Sequence, residues 1–199
     1  NWVPQIIHRD LKTLNLLVDE YYNVYVSDFG ISRFVVDENL STLSKLRGTF
    51  AYCAPEIYFG HQATIKSDVF SLAIIFWELA VRCLSGEYVR PYSEFKTLVM
   101  DIQIIVQVAK NNMRPTIPAD CHKKMAQLIQ SMWDMDEEVR PDCKAILKAL
   151  GEMEDMYDFN PFEWKKRSRS ESIPAAFTSL QESAKATNDD DGGNLSSIE

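Results

Sequence analysis

The sequence predicts a mainly α fold carrying a small β-hairpin near its start, and three observations predict it. Residues 14–18 and 24–26 are short apolar runs joined by the polar Asp19-Glu20-Tyr21-Tyr22-Asn23, the pattern of a hairpin. Residues 69–82 are apolar nearly all round until Glu78 and Arg82, which marks a buried core helix too short and too charged to span a membrane. Met125, Leu128, Ile129, Met132 and Trp133 recur at i, i+3, i+4, i+7 and i+8, one face of an amphipathic helix.

In chain order, the hairpin comes first. Ser67-Asp68 is read as the cap of the 69–82 helix. Residues 98–109 read as a further helix, although their Ile and Val content leaves a strand open. The 125–133 face follows. Asp142 then caps a last helix with Ile146, Leu147, Leu150 and Met153 inward. Residues 83–96 match no motif.

Composition bounds the function. The 199 residues are 46% hydrophobic and 25% charged, ordinary values for a globular protein with a true core. A net charge of −8, from 21 basic and 29 acidic residues, disfavours nucleic-acid and anionic-membrane binding. No charge-free stretch is long enough for a transmembrane segment, and nothing at the start reads as a secretory leader. Four scattered cysteines, Cys53, Cys83, Cys121 and Cys143, fit a reducing compartment and argue against both a disulfide framework and a zinc site. The expected location is cytoplasmic, with nuclear entry open. The organisation expected is a globular part over 1–155 and a disordered Ser/Asp-rich tail over 156–199, the change being plainest near Asn160.

Three blocks carry chemistry: His8-Arg9-Asp10-Leu11-Lys12-Thr13-Leu14-Asn15, then Asp28-Phe29-Gly30, then Ala54-Pro55-Glu56. In this order and spacing they resemble the catalytic loop and activation segment of eukaryotic protein kinases. Gly48-Thr49, Asp68 and Arg140-Pro141 also stand where that family has its marks. The resemblance implies a kinase-like C-terminal (large) lobe over residues 1–155. It further implies ATP and Mg2+ as cofactors, with Asp28 holding the metal that bridges the β- and γ-phosphates and Asn15 holding the second. Asp10 is the implied acceptor of the substrate hydroxyl's proton, and Lys12 the charge beside the γ-phosphate. With an ordinary pKa near 3.9, an aspartate is a poor base for a serine hydroxyl, so its orientation matters more than its basicity. Leu17 matches the floor of the adenine pocket. His8 is expected to pack beneath the loop, Asp68 to tie the buried helix to the catalytic-loop backbone, and Glu56 and Arg140 to form a partly buried ion pair.

Lys12, two residues after Asp10, and Thr49 favour Ser or Thr as the acceptor in protein substrates. Trp77-Glu78-Leu79, Met132-Trp133 and Arg114-Pro115-Thr116-Ile117-Pro118 resemble the tyrosine-kinase-like group, whose members mostly phosphorylate Ser or Thr. Ser41, Thr42 and Ser44 are candidate sites for an upstream kinase or for autophosphorylation. A phosphate there adds about −1.5 to −2 charges and has Arg9 and Arg33 as partners. Arg169-Ser170-Glu171-Ser172-Ile173-Pro174 fits a 14-3-3 recognition pattern once Ser172 is phosphorylated. Lys165-Lys166-Arg167 is the alternative, a nuclear-import patch.

A kinase also uses a glycine-rich loop, a strand lysine and its helix glutamate. The chain has seven glycines, none in G-x-G spacing, and only seven residues precede His8, so the N-terminal lobe is expected to be absent from it. The expectation is a partial kinase domain that is inactive by itself. The competing reading is a catalytically inactive interaction or scaffold module.

Overall fold

The computed structural model describes residues 6–31, 33, 34 and 50–159. Four short strands lead: β1 (Ile6–Ile7), β2 (Leu16–Val18), β3 (Val24–Val26) and β4 (Arg33–Phe34). Five helices follow: α1 (Pro55–Tyr58), α2 (Ile65–Ser85), α3 (Asp101–Asn111), α4 (Lys123–Met132) and α5 (Cys143–Phe159).

β2 and β3 form the expected antiparallel hairpin, with Leu16 opposite Val26, Leu17 opposite Tyr25 and Val18 opposite Val24. Asp19 builds its turn: Oδ1 accepts from the backbone N–H of Tyr21 (2.9 Å) and Asn23 (2.8 Å), and Oδ2 from the Asn23 amide (2.8 Å). A short acceptor side chain at the start of a turn replaces ladder bonds the reversing backbone cannot make. The second pairing, β1 with β4, was not legible in the sequence because each strand is two residues long.

α2 begins before the expected cap. Thr64 is the N-cap, its hydroxyl accepting from Lys66 N (3.1 Å), while Ser67 Oγ accepts from Thr64 N (3.1 Å). This reciprocal box satisfies two N–H groups that the first turn leaves without partners. Ser67 therefore closes the box from inside the helix, and Asp68 is free to face the loop before β2. The helix ends at Gly86, whose φ of +78° is a left-handed conformation that glycine adopts without strain, and its N–H bonds Arg82 O (2.9 Å).

The core surrounds α2, where Phe70, Ile74, Trp77 and Val81 meet Leu128, Ile129 and Met132 of α4 and Ile104, Ile105 and Val108 of α3. Burial at 104, 105 and 108 follows helical spacing, which decides between the two readings of 98–109. On α5, Ile146 and Met153 face inward and Leu150 is partly buried. Leu147, also expected inward, is 68% exposed. One residue past Ile146 it sits about 100° around the helix, off the buried stripe. α5 runs unbroken through Phe159, so residues 156–159 belong to the helix and not to the tail expected from 156.

The segment after Gly86, uninterpreted from sequence, is anchored by buried Val89, Pro91 and Tyr92. Glu94 accepts from Thr116 N (2.6 Å) while Trp77 donates to Thr116 O (2.8 Å), so both groups of that buried-edge backbone are paired. All four cysteines are free thiols. None of the described helices is long and apolar enough to cross a membrane.

Candidate active site

The loop between β1 and β2 is held from below. Asp68, on the first turn of α2, accepts the backbone N–H of His8 on Oδ2 (2.7 Å) and that of Arg9 on Oδ1 (2.9 Å). Arg9, whose N–H is one of the two, takes a left-handed φ of 72°. A side-chain-bearing residue in that region costs about 1–3 kcal/mol and persists only when its surroundings dictate it, as the two hydrogen bonds do here. Burial pushes the Asp68 carboxyl above its ordinary value, partly offset by those same bonds.

His8 is buried beneath the loop. Its Nδ1 accepts from Asp10 N (3.3 Å), so Nε2 carries the hydrogen given to Ser27 O (2.9 Å). Its ring meets the edge of Phe29 at a centroid distance of 4.9 Å. Ser27 returns two bonds to Asn15 O, from N (2.8 Å) and Oγ (3.0 Å). The end of β3 is thereby tied to the end of the loop, so the residue after Ser27, Asp28, leaves the hairpin at the same end as Asn15.

The polar centre is Asp10. Lys12 Nζ lies 2.7 Å from Oδ2, and Asn15 Nδ2 donates to Asp10 O (2.8 Å) and to Oδ2 (3.2 Å). Oδ1 is buried with no hydrogen-bond partner among the described residues. An acceptor left bare in that way costs free energy that a donor from outside would recover. Asn15 turns both amide hydrogens toward Asp10, which leaves its amide oxygen as the atom able to bind a cation. Asp28 is exposed at a φ of 61°. Gly30 N approaches its Oδ1 at 3.4 Å, and a Cβ on Gly30 would stand 3.1 Å from that oxygen.

Asn15 and Asp28 therefore present hard oxygen donors, the kind Mg2+ takes while keeping several of its waters. Among the described residues no three His, Cys, Asp or Glu side chains converge as a metal cage. The donor set fits a cation that arrives partly ligated by phosphate. Leu17 stands 57% exposed on the hairpin beside Tyr25. Burial pushes the Cys53 thiol up to about 12, which makes it a poor nucleophile despite its place near the loop.

Below the loop, Glu56 and Arg140 form a pair more deeply buried than expected. Arg140 Nη1 and Nη2 donate to Oε1 (2.9 Å) and Oε2 (2.8 Å), and Ser67 Oγ adds a bond to Oε1 (2.7 Å). The remaining Arg140 donors reach Asp134 O and Lys66 O, both at 2.9 Å. The Arg140 guanidinium also lies over the Phe70 ring, 5.2 Å from its centroid.

Sequence reasoning missed Thr13, Tyr52 and the part played by Glu78. Thr13 Oγ1 lies 3.2 Å from Tyr52 OH, which lies 3.0 and 2.9 Å from the two Glu78 oxygens. The available signal was an acidic residue inside an apolar helix. Thr49, Ser41, Thr42, Ser44, the Arg33 side chain, Lys165-Lys166-Arg167 and Ser172 lie outside the described residues.

A family model described as protein tyrosine and serine/threonine kinase matches residues 4–150. Stress-activated protein kinase alpha of Dictyostelium discoideum is 54% identical over 163 residues, which cover 82% of this chain and 26% of that protein. A probable serine/threonine-protein kinase of the same organism is 48% identical over 166 residues, covering 83% and 7%. Serine/threonine-protein kinase STY46 of Arabidopsis thaliana is 38% identical over 148 residues, covering 74% and 24%. The chain thus spans about a quarter, or less, of the length of these relatives.

Proposed function

Because this chain belongs to the protein tyrosine and serine/threonine kinase family, we propose that it supplies the catalytic loop and metal-binding aspartate for ATP-dependent phosphoryl transfer to Ser or Thr hydroxyls of proteins. The observation that carries this reading is the buried Oδ1 of Asp10, without a hydrogen-bond partner among the described residues, beside an Oδ2 already engaged by Lys12 and Asn15. One carboxylate oxygen is held still while the other awaits a donor. Asp10 accepts the hydrogen bond of the substrate hydroxyl there and takes its proton as transfer proceeds. Its main contribution is orientation, which in a bound complex replaces the search of two partners for one geometry. Lys12 stands beside the transferred group and offsets negative charge developing on it.

Asn15 and Asp28 are the residues that would hold Mg2+, as the family generally uses ATP with Mg2+. When bound, Mg2+ neutralises charge on the β- and γ-phosphates. Leu17 would underlie the adenine. Its exposure, with that of Val18, Val24, Tyr25 and Val26, supports a nucleotide site completed by a second wall not made by the described residues. A two-stranded hairpin with apolar side chains in water is marginal unless something packs on it. The chain by itself is accordingly expected to transfer no phosphate.

Further elements of the proposal are regulatory and locational. Phosphate on Ser41, Thr42 or Ser44 would be paired by Arg9 and Arg33, and replacing all three hydroxyl residues with alanine should lower activity. Phosphorylated Ser172 would recruit a 14-3-3 protein from a tail starting after α5, and a cytoplasmic setting suits both.

The deciding experiment joins this chain behind the preceding part of the Dictyostelium stress-activated kinase and follows labelled phosphate into protein substrates. Label is expected on Ser and Thr, and Asp10→Asn is expected to reduce the rate roughly 10²- to 10⁴-fold, the range for a positioned proton acceptor. Undiminished transfer by Asp10→Asn, or label on Tyr alone, would overturn the assignment. Transfer by the 199-residue chain alone would remove the requirement for a second wall.

A further inference from the structure

We propose that Glu78 and Tyr52 act as positioning residues for the catalytic loop, with Thr13 as the point where they take hold of it. This rests on the phosphotransferase reading of the loop and names a device that reading does not include. Glu78 is buried on α2 and has no Lys, Arg or His within salt-bridge distance among the described residues. Its carboxylate oxygens lie 3.0 and 2.9 Å from the Tyr52 hydroxyl, which lies 3.2 Å from Thr13 Oγ1.

The chemistry of the three groups sets the direction of the bonds. A carboxylate only accepts, and a phenol has one proton to give. Tyr52 therefore donates to Glu78, and its oxygen is left as the acceptor for the Thr13 hydroxyl. The chain runs Thr13 to Tyr52 to Glu78, from the loop into the helix core.

What this chain of bonds holds is the stretch that carries the chemistry. Thr13 opens a tight helical turn over Thr13–Asn15, whose Asn15 N–H returns to Lys12 O (3.0 Å). Lys12 and Asn15 are the two side chains that hold Asp10 Oδ2. Asp68 fixes the front of the loop at residues 8 and 9. Ser27 holds the Asn15 carbonyl at its rear, and Thr13 adds the side-chain tether between the two, at the start of the turn that aims Lys12 and Asn15 at Asp10. An apolar residue at 78 would pack into the same helix without desolvating a charge, so the carboxylate is explained by what it holds.

The test separates a tether from a general core bond. In the 199-residue chain, Thr13→Val removes the hydroxyl at nearly constant shape and leaves the Tyr52–Glu78 contact in place. Amide hydrogen exchange of residues 10–15 is expected to speed up roughly two- to tenfold, the effect of one neutral hydrogen bond. Exchange of the α2 amides at 70–81 is expected to stay as it was, and Thr13→Ser is expected to restore the loop. Tyr52→Phe should loosen the same loop amides. Unchanged exchange at 10–15 in Thr13→Val overturns the proposal, and so does an equal acceleration throughout α2. The readout needs no phosphate transfer. A chain that shows the loop effect but never transfers phosphate in the joined form therefore refutes the functional reading and leaves the tether standing.

Discussion

Glu56 and Glu78 are 6% and 4% exposed, one on α1 and the other on α2. Their surroundings push them in opposite directions. Burial raises the Glu56 carboxyl, but the bidentate bonds and charge of Arg140, with help from Ser67, hold it below its ordinary value. Burial raises Glu78 as well, and the hydroxyls of Tyr52, Tyr88 and Thr13 only partly offset that, so it stays above. A guanidinium supplies opposite charge as well as donors, whereas a hydroxyl supplies a donor alone. The first arrangement clasps α1 to the segment that leads into α5. The second leaves a carboxylate that binds its proton more tightly folded than unfolded.

The largest effect should follow from removing the clasp's cation. Arg140→Met leaves Glu56 buried and uncompensated, and urea denaturation at neutral pH should show a loss of about 3–5 kcal/mol. The double replacement Arg140→Met with Glu56→Leu removes both charges and should regain most of that loss. A loss under about 1 kcal/mol in the single variant would mean that Glu56 does not depend on its partner.

Next in size are the pH responses. For Glu56 the unfolded chain binds more protons between the lowered folded value and the ordinary 4.5. Its contribution is therefore complete above 4.5 and lost as pH falls through the folded value. For Glu78 the folded chain binds more protons between 4.5 and its raised value, so stability declines as pH rises through that window. Urea midpoints stepped through acid pH should show Glu56→Gln losing the first dependence and Glu78→Gln losing the second. Both variants losing the same limb would end the contrast.

The smallest effect is Glu78→Gln at neutral pH. The amide oxygen can still accept from Tyr52 without a buried charge, so stability should stay within about 1 kcal/mol of the parent by the same urea measurement. A loss as large as that of Arg140→Met would mean that the two carboxylates are held alike.

Much of the site was legible because its residues are close along the chain. Asp10, Lys12 and Asn15 lie within six residues, and the structure draws all three into one hydrogen-bonded group. The long helix, the 125–133 face and the hairpin were equally legible, since periodicity is a local property of sequence. The exact cap of α2 was not. Ser67 and Asp68 both have capping chemistry; the tie from Asp68 to the loop was implied by the resemblance, but that Thr64 takes the cap itself appeared only in the structure. Leu147 was misplaced by treating neighbours on a helix as if they shared a face.

By itself, then, the sequence determined the family, the helical class, and which residues carry charge and hard oxygen donors. The resemblance already implied that Glu56 meets Arg140, but tertiary structure alone decided that Glu78 meets hydroxyls, because Tyr52 reaches it from a segment remote in the chain. It also decided that Asp10 keeps one oxygen without a partner among the described residues, which depends on where Lys12 and Asn15 are held. Residue type fixes what a group can donate or accept. The number of partners it finds, and their charge, is set by packing between segments whose spacing in sequence carries no trace of it.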